Sequence, residues 1–339
     1  MMSVTSSQPT LPPSFTARPA TMDDLETAVA LFNACAIHST GAPDTTSDDL
    51  RLEWQSPQFD LQTATQVVLT ADGRLVGYVE VWDGAPIPVS PWVWGRVHPD
   101  YEGQGVGTYL LAWGEARARQ AIARCPDDVR VVFRSSAPNT YPSATRLFAR
   151  HGMSLVRYFW RMAIDLHAPP SLPEWPAGLT LKTFADVGDW QTTYHAVDDA
   201  FADHWGHVDQ PLEDNLRQWR YWAENDKSFD PALWFLLMDG DEIAGFSLCR
   251  SHSHDDPDMG WVHQLGVRRP WRQRGLGLAL LQQSFAALHQ RGRLRVGLGV
   301  DADSLTGATR LYEKAGMKVV RQYDTYEKEL RPGHSISRQ

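Results

Sequence analysis

Two glycines and two arginines near residue 275 form the segment of this chain best suited to hold an anion. The segment reads VRRPWRQRGLGLALL, in which a strand end, a loop with Gly275 and Gly277, and a helix follow one another directly. The first amides of a helix have no partner within it and lie at the positive end of its dipole, so they attract phosphate. Arg272 and Arg274 add positive charge. The pattern predicts either a phosphate-binding loop or an ordinary tight turn between strand and helix.

Two common nucleotide-binding motifs are missing from this segment. It lacks the Lys-Ser/Thr ending of a P-loop and the three-glycine spacing of a dinucleotide fingerprint. Neither of those two kinds of site is therefore expected here.

The segments around this loop occur twice in the chain. ATRLFARHGM begins at Ala144, and ATRLYEKAGM begins 164 residues later at Ala308. YEGQGVGTYLL from Tyr101 likewise matches WRQRGLGLALL from Trp271, which lies 170 residues further on. Because the order of segments is kept and their offset changes little, the chain is a tandem duplication of a unit of about 150 residues.

Each copy is expected to fold as a mixed α/β domain. We predict domains at residues 15–166 and 179–330, a stiff proline-rich linker at 167–178, and disordered tails at 1–14 and 331–339. In the second copy, residue periodicity predicts strands at 179–184, 233–238, 242–250, 260–267, 294–300 and 319–328, and helices at 186–201, 211–225, 275–290 and 304–314.

The composition of the chain indicates which classes of partner and which compartment to expect. The 339 residues are 42% hydrophobic, and their net charge of −9 argues against nucleic acid or an anionic membrane as the main partner. Cys35, Cys125 and Cys249 are too few and scattered for a disulfide framework, and none pair at metal-ligand spacing, which favours a reducing cytoplasm. The N-terminus lacks the pattern of a signal peptide, and the apolar runs are too short to span a membrane.

The glycine loop, followed 33 residues later by ATRLYEKAGM, resembles the GCN5-related N-acetyltransferase (GNAT) superfamily. The family's loop reads Arg/Gln, two residues, Gly, one residue, Gly/Ala, and Arg272, Gly275 and Gly277 match it. The family's later helix motif is matched by Ala308, Leu311, Tyr312, Gly316 and Met317. The resemblance covers nearly the whole chain, twice. It is similar to the tandem, mycothiol synthase-like acetyltransferases, and implies two GNAT domains, each a mixed, mostly antiparallel sheet flanked by helices.

The resemblance implies a site for acetyl-CoA, used as co-substrate, in the second copy. Strand residues would offer backbone groups to the pantetheine arm, the glycine loop would wrap the pyrophosphate, and one serine stands where the family usually has asparagine. These residues are Leu265, Gly266 and Val267, then Arg272, Gln273, Arg274, Gly275, Leu276, Gly277 and Leu278, and finally Ser304. Tyr312 matches the tyrosine that protonates the departing thiolate, although a tyrosine merely packed in the core is the alternative.

The incoming amine must lose a proton, and His263 is the first candidate base. An imidazole with its usual pKa suits this task, and WVHQLGV resembles the arylalkylamine acetyltransferases, in which a histidine on this strand helps to remove the proton. The period of two places residues 261, 263 and 265 on one face of the strand. A structural histidine, or removal through water by Asp258 or His204, stays open. A strand amide near Leu265 would stabilise the oxyanion.

Two polar segments carry weaker signals. In FADHWGH, Asp203, His204 and Trp205 are the candidates to bind the amine by charge, hydrogen bond and ring face, and a simple helix-end loop is the alternative. SHSHDDPD, residues 251–258, has metal-ligating side chains but sits where a turn between strands is expected. We expect no metal, since acetyl transfer needs none.

The first copy has lost the residues that carry chemistry. Phe148 stands where the second copy has Tyr312, Glu102 replaces Arg272, and Val93 lies opposite His263. The first copy is expected to keep the fold without catalysis, and weak binding of CoA there stays open.

The leading expectation is an acetyl-CoA-dependent N-acetyltransferase that acts on a small-molecule primary amine by direct attack in a ternary complex. The alternatives are another acyl-CoA donor, or a CoA-binding sensor or scaffold in which both copies are inert. A tandem chain already supplies two domains, so a monomer or weak dimer is expected.

Overall fold

The computed structural model describes residues 10–304 and 307–338 and divides into two compact units. Unit 1 comprises Met1–Val156 and Asp324–Ile336, and unit 2 comprises Arg157–Tyr323 and Ser337–Gln339. Most of the predicted N-terminal tail, two residues at the start of the predicted last helix, and the final residue lie outside the described part of the chain.

The first copy of the repeat supplies six strands and five helices. In chain order these are β1 (Phe15–Arg18), α1 (Leu25–Thr40), α2 (Ser47–Trp54), α3 (Leu61–Ala64), β2 (Thr65–Thr70), β3 (Leu75–Trp82), β4 (Trp92–Val97), α4 (Val106–Ala118), β5 (Val131–Pro138), α5 (Pro142–Arg150) and β6 (Ser154–Asp165).

The second copy repeats this order of strands and α-helices. Its elements are β7 (Leu179–Thr183), α6 (Phe184–Val187), α7 (Trp190–Phe201), α8 (Leu212–Asn225), β8 (Phe229–Asp239), β9 (Glu242–Arg250), β10 (Met259–Val267), α9 (Leu276–Gln290), β11 (Arg295–Asp301), α10 (Ala308–Lys314) and β12 (Lys318–Arg331).

Each unit contains a mixed sheet in which antiparallel pairs predominate. In unit 2, β7–β8, β8–β9 and β9–β10 pair antiparallel, β10 and β11 pair parallel, and β11 pairs antiparallel with β6. Unit 1 has the corresponding parallel pair in β4 and β5. The predicted fold class is confirmed.

The sheet of unit 2 is buried on both faces, and β8 shows why. Leu233, Phe235 and Leu237 of β8 lie in the core beneath α9 and α10. The alternating residues Trp234, Leu236 and Met238 lie in the core beneath α6, α7 and α8. They share that core with Phe184, Ala196 and Val197. A strand with apolar residues on both faces belongs in the middle of a layered sheet. Helices therefore cover both sides of this sheet.

The two compact units do not coincide with the two sequence copies. Residues 157–165 of β6 come from the first copy but belong to unit 2, where they pair with β11 from Arg295–Asp165 to Asp301–Phe159. The last part of β12 comes from the second copy but belongs to unit 1. The predicted boundary at residue 166 therefore differs from the structural boundary at residue 157, because β6 completes the sheet of unit 2.

Three segments allow the predicted local structure to be compared with the observed one. The predicted helix 186–201 is two helices, because Gly188 adopts a positive φ of 64° and Asp189 caps α7 by accepting from the Thr192 amide. The linker 167–178 forms neither helix nor strand, as expected, but Trp175 packs against the core of unit 2. Residues 331–339 were expected to be a disordered tail, and in the structure His334 and Arg338 of this segment form backbone hydrogen bonds.

The described residues can be searched for membrane-spanning helices, disulfide bonds and metal sites. None of their helices is long and apolar enough to cross a membrane. Their three cysteines are buried free thiols. They place no group of three or more His, Cys, Asp or Glu side chains where a metal ion could be held.

The position of β6 gives a first testable prediction. Met162 is fully buried in the core of unit 2, opposite Leu298 of β11. Met162→Ala is expected to lower the free energy of unfolding by about 2–5 kcal/mol, since it removes buried volume. Leu155→Ala is the matched control on the same strand, because Leu155 is 41% exposed, and a change within about 0.5 kcal/mol is expected there.

Hydrogen exchange locates the effect of Met162→Ala. The amides of β10 and β11 should exchange faster, whereas those of β2 and β3 should not change. Faster exchange confined to β2 and β3 would contradict the assignment of β6 to unit 2.

Candidate functional site

The parallel strands β10 and β11 stop pairing with each other about halfway along their length. Their register runs from Met259–Arg295 to Val262–Leu298 and ends there. Beyond this point β10 continues to Val267 while pairing with β9 on its other side. The edge that faces β11 therefore presents backbone amide and carbonyl groups to an opening between the strands. A chain-like ligand with amide groups is suited to such an edge.

A β-bulge at His263 sets the direction of the side chains at this opening. The register with β9 shifts between Val262, which pairs with Cys249, and Gln264, which pairs with Leu248. Val262 and Leu265 both pack in the core on the α9 side, although strict alternation would place them on opposite faces. The strict alternation that was predicted to place residues 261, 263 and 265 on one face therefore does not hold through this segment, because the bulge adds one residue between Val262 and Leu265.

Residues next to the bulged His263 lie on the face of the sheet that α7 and α8 cover. On the neighbouring Gln264, the side-chain oxygen accepts a hydrogen bond of 3.3 Å from Nε1 of Trp219 in α8. On the same face, a Cβ added to Gly266 would lie 2.5 Å from Phe246 Cζ and 3.1 Å from Ala200 Cβ of α7. The opening between β10 and β11 is thus bordered by α7 and α8 on one face and α9 on the other.

The glycine loop brings the start of α9 to the end of β10. Gly275 is the N-cap residue with a φ of 78°, and Gln273 also has a positive φ, of 62°. Gly277 serves packing: a Cβ there would lie 2.9 Å from Leu311 Cδ1 of α10. The first amides of α9 therefore remain available to an anion, while α10 lies close beside them.

The two arginines of the loop differ in their surroundings. Arg272 donates to the carbonyls of Val267 and Ala200, at 3.0 and 3.1 Å, and to Asp203 at 3.1 Å. Arg274 is exposed and makes no ion pair or side-chain hydrogen bond with the described residues. Only Arg274 has a guanidinium that is free to meet a bound anion, and the guanidinium of Arg272 joins β10, α7 and the segment that follows α7.

That segment, the α7–α8 loop (residues 202–211), holds the three predicted amine-binding residues. Asp203 accepts from Arg272 and, through a bidentate contact, from Arg269. These two guanidinium groups lower the pKa of Asp203 to about 2. The carboxylate is therefore already neutralised by two arginines, and it anchors the loop instead of offering a free negative charge.

His204 and Trp205 contact different parts of unit 2. The edge of the His204 ring meets the ring of Phe201 at 4.5 Å, and burial lowers the pKa of His204. Trp205 lies beside the β6 residue Phe159, with 6.2 Å between ring centres, and beneath the guanidinium of Arg157 at 5.6 Å. Arg157 is held in turn by Asp301 of β11 at 2.8 Å.

Part of the surface of His263 is exposed to solvent, but many protein atoms lie around its imidazole ring. Burial, together with the nearby positive charge of Arg250 and with His254, lowers its pKa to about 3. The imidazole is therefore neutral near pH 7 and has a lone pair with which to accept a proton. Its lowered pKa disfavours the charged form, so the imidazole is suited to pass a proton on to water and poorly suited to keep it.

Tyr312 combines a buried ring with an unpartnered hydroxyl. It lies in α10, only 7% exposed, in the same core as Leu265 and Val267 of β10. Within residues 10–304 and 307–338 its hydroxyl has no hydrogen-bond partner. Burial raises its pKa to about 12, which keeps the phenol protonated at neutral pH. The phenol therefore carries a proton and has no acceptor for it among the described residues.

The remaining candidates lie further from the opening or in turns. Ser304 is half-buried in the turn after β11, where its amide donates to Asp301. Asp258 precedes β10 and is five residues from His263, which corresponds to about 17 Å along a strand. In the same turn Asp255 is paired with Arg161 and Ser253. The SHSHDDPD segment is thus a turn between strands.

Unit 1 has a cavity at the corresponding place. Its volume is about 480 Å³, and its lining includes Gly103, Gly105, Arg96 and Phe148. Glu102, which replaces the arginine of the second copy, accepts a hydrogen bond from the Tyr141 hydroxyl. The cavity therefore keeps the glycine loop, but its helix offers a phenyl ring where α10 of unit 2 offers a phenol.

Sequence reasoning missed the contributions of β6 and of the chain's last residues to unit 2. Arg157 contacts Asp301, which lies 144 residues away, and Arg338 contacts the α7–α8 loop. No local pattern reports such contacts. The Gln264–Trp219 contact was missed as well, because it depends on the bulge.

Comparison with known sequences and structures gives a consistent assignment. The sequence model of the acetyltransferase (GNAT) family matches residues 190–317, and that of an acetyltransferase (GNAT) domain matches residues 62–152. A mycothiol acetyltransferase from Thermobispora bispora is 32% identical over 300 residues, covering 87% of this chain and 93% of its own.

Solved structures agree with this. A GCN5-related N-acetyltransferase from Sphaerobacter thermophilus is 36% identical, with a TM-score of 0.80 over 96% of this chain and 99% of its own. A tandem GNAT protein from the clavulanic acid biosynthesis pathway, 16% identical, shares the fold with a TM-score of 0.68 over 94% of this chain and all of its own. The chain therefore belongs to the GNAT family of N-acetyltransferases, in the form with two such domains in tandem.

Proposed function

We propose that unit 2 transfers an acetyl group from acetyl-CoA to the primary amine of a small molecule by direct attack in a ternary complex. The observation that carries this proposal is the unpartnered hydroxyl of Tyr312, in the core that also holds the open edge of β10. The corresponding residue of unit 1 is Phe148, which has no proton to give. We therefore assign catalysis to the second copy.

The residues present suit acetyl-CoA. The start of α9 and the free guanidinium of Arg274 complement a pyrophosphate, and the open edge of β10 at Leu265–Val267 complements the amides of a pantetheine arm. Residues Gln273–Leu278 and the backbone of Arg272 form the pyrophosphate side of this site. Ser304 borders it in the turn after β11.

The reaction needs one proton removed and one supplied. His263 accepts a proton from the amine and releases it to water; its lowered pKa favours the release and makes the imidazole a weaker base for the uptake. The amine nitrogen forms a bond to the thioester carbon, and a backbone amide of β10 near Leu265 donates to the oxygen on which charge develops. When the carbon–sulfur bond breaks, Tyr312 donates its proton to the departing thiolate. Water or solvent then reprotonates the phenolate.

The amine lies beside the α7–α8 loop in this proposal. His204 and Trp205 border its site, and Asp203 acts by holding the loop. Several relatives are named mycothiol acetyltransferases, so the amine precursor of mycothiol is the first compound to test. The general experiment is a panel of amines and acyl-CoA donors followed by release of free thiol. Absence of thiol release with every pair would overturn the proposal.

The donor role of Tyr312 gives a second prediction. Tyr312→Phe should lower kcat at least about 10-fold while the Kd for CoA, measured by calorimetry, changes less than about 2-fold, because only the leaving thiolate loses its partner. The matched control is Tyr109→Phe, which makes the same change on α4 of unit 1. An unchanged kcat under conditions in which chemistry limits the rate would contradict the role.

His263 gives a third prediction, on pH. Because the folded pKa is about 3 and the unfolded pKa is about 6.5, the unfolded chain binds the proton first as pH falls. The stability that this neutral imidazole contributes is therefore lost between about pH 6.5 and pH 3. An NMR titration should find the His263 ring neutral from pH 5 to pH 8, with the signal assigned by its loss in His263→Gln. A titration midpoint between pH 6 and pH 7 would show that folding does not lower the pKa of His263.

The two loop arginines give a fourth prediction. Arg274→Ala should raise the Kd for CoA about 5- to 10-fold, and added salt should reduce the difference, since an exposed charge is lost. Arg272→Ala should leave that Kd within about 2-fold and should raise the KM for the amine, because it releases Asp203 and α7. The reverse pattern would show that the Arg272 guanidinium binds the pyrophosphate.

A further inference from the structure

The last residues of the chain are hydrogen-bonded to the α7–α8 loop. The Gly206 amide donates to the Arg338 carbonyl, and the Arg338 amide donates to the His207 carbonyl, both at 2.9 Å. These two bonds join Arg338 to two consecutive residues of the loop within unit 2. We call residues Ser337–Arg338 the strap.

The side chain of Arg338 adds weaker contacts to the same loop. Its Nε donates to the Ala202 carbonyl at 3.3 Å, and its Nη2 lies 3.7 Å from a carboxylate oxygen of Asp209. The side chains of Arg338 and Asp209 are 53% and 83% exposed, so this ion pair contributes little. The backbone bonds are therefore the main link between the strap and the loop.

The strap completes a set of three attachments along the loop. Near its beginning, Asp203 is held by Arg269 and Arg272. In its middle, Trp205 packs beneath Arg157. Just after that, Gly206 and His207 are held by the strap. His204 lies between these attachments, so its position depends on all three.

Ten residues without helix or strand normally sample many conformations, and ordering them on binding a ligand has an entropic cost. A loop that is already fixed avoids that cost and presents one shape to its ligand. The attachments at Asp203 and Trp205 act near the beginning of the loop. The strap adds backbone hydrogen bonds at the two residues that follow, Gly206 and His207.

We infer that the strap positions the α7–α8 loop to receive the amine, so that Arg338 is a positioning residue that helps to set which amines are accepted. This inference rests on the proposed function of unit 2. Arg338 acts through the main chain of the loop and has no part in the proton transfers. Its loss should therefore change the KM for the amine far more than kcat or the binding of CoA.

The experiment compares three variants of the full chain. Arg338→Pro removes the amide that donates to His207, and deletion of residues 337–339 removes the whole strap. Arg338→Ala is the matched control, because it removes the side chain and leaves both backbone bonds. For each variant we would measure hydrogen exchange in residues 202–209, the KM and kcat for the amine, the Kd for CoA, and the melting temperature.

The expected result separates the backbone from the side chain. Arg338→Pro and the deletion should speed exchange at Gly206 and raise the amine KM about 3- to 10-fold, as expected for one or two lost hydrogen bonds, with kcat and the Kd for CoA within about 2-fold. Discrimination between good and poor amines should fall. Arg338→Ala should stay within about 2-fold throughout.

Two results would overturn the inference. Unchanged exchange in the deletion would show that the strap does not hold the loop, and faster exchange with an unchanged amine KM would show that the loop's order does not matter for the amine. If the unaltered protein acetylates no amine, the proposed function fails. The exchange measurement then still decides whether the strap orders the loop.

Discussion

The site of this protein depends on the point at which two parallel strands stop pairing. Hydrogen bonds between β10 and β11 hold as far as Val262 and Leu298, and the bulge at His263 then redirects β10. One unpaired edge and one extra residue together create an opening with free backbone groups and place His263 at its border. The glycine loop and the helix that carries Tyr312 matter because they lie beside that opening.

The two copies share this construction and differ in its chemistry. In unit 1 the glycine loop borders a cavity, but Phe148 replaces the phenol and Glu102 is bonded to Tyr141. In unit 2 the phenol is unpartnered among the described residues, and the arginine that replaces Glu102 ties the α7–α8 loop to β10. The first copy still supplies the second unit with β6, which places Met162 in its core. The last strand of the first copy is therefore needed for the core of unit 2, whatever chemistry the first copy performs.

Local signals predicted most of the fold, and non-local contacts account for the rest. Periodicity and the repeat gave the strands, the helices and the family resemblance, because these depend on residues close in sequence. The exchange of β6, the pairing of Asp203 with Arg272 and the strap at Arg338 depend on residues far apart along the chain. The alternation predicted for residues 261, 263 and 265 fails at the bulge, since a single inserted residue reverses the alternation and leaves no mark in composition.

The proposed binding of the acyl donor at the opening in unit 2 can be tested by hydrogen exchange measured with and without CoA, because both copies are compared in one molecule. We expect CoA to slow exchange in residues 263–278, at the open edge of β10 and the start of α9. Protection confined to the corresponding segment of unit 1, residues 93–108, with none in residues 263–278, would contradict it.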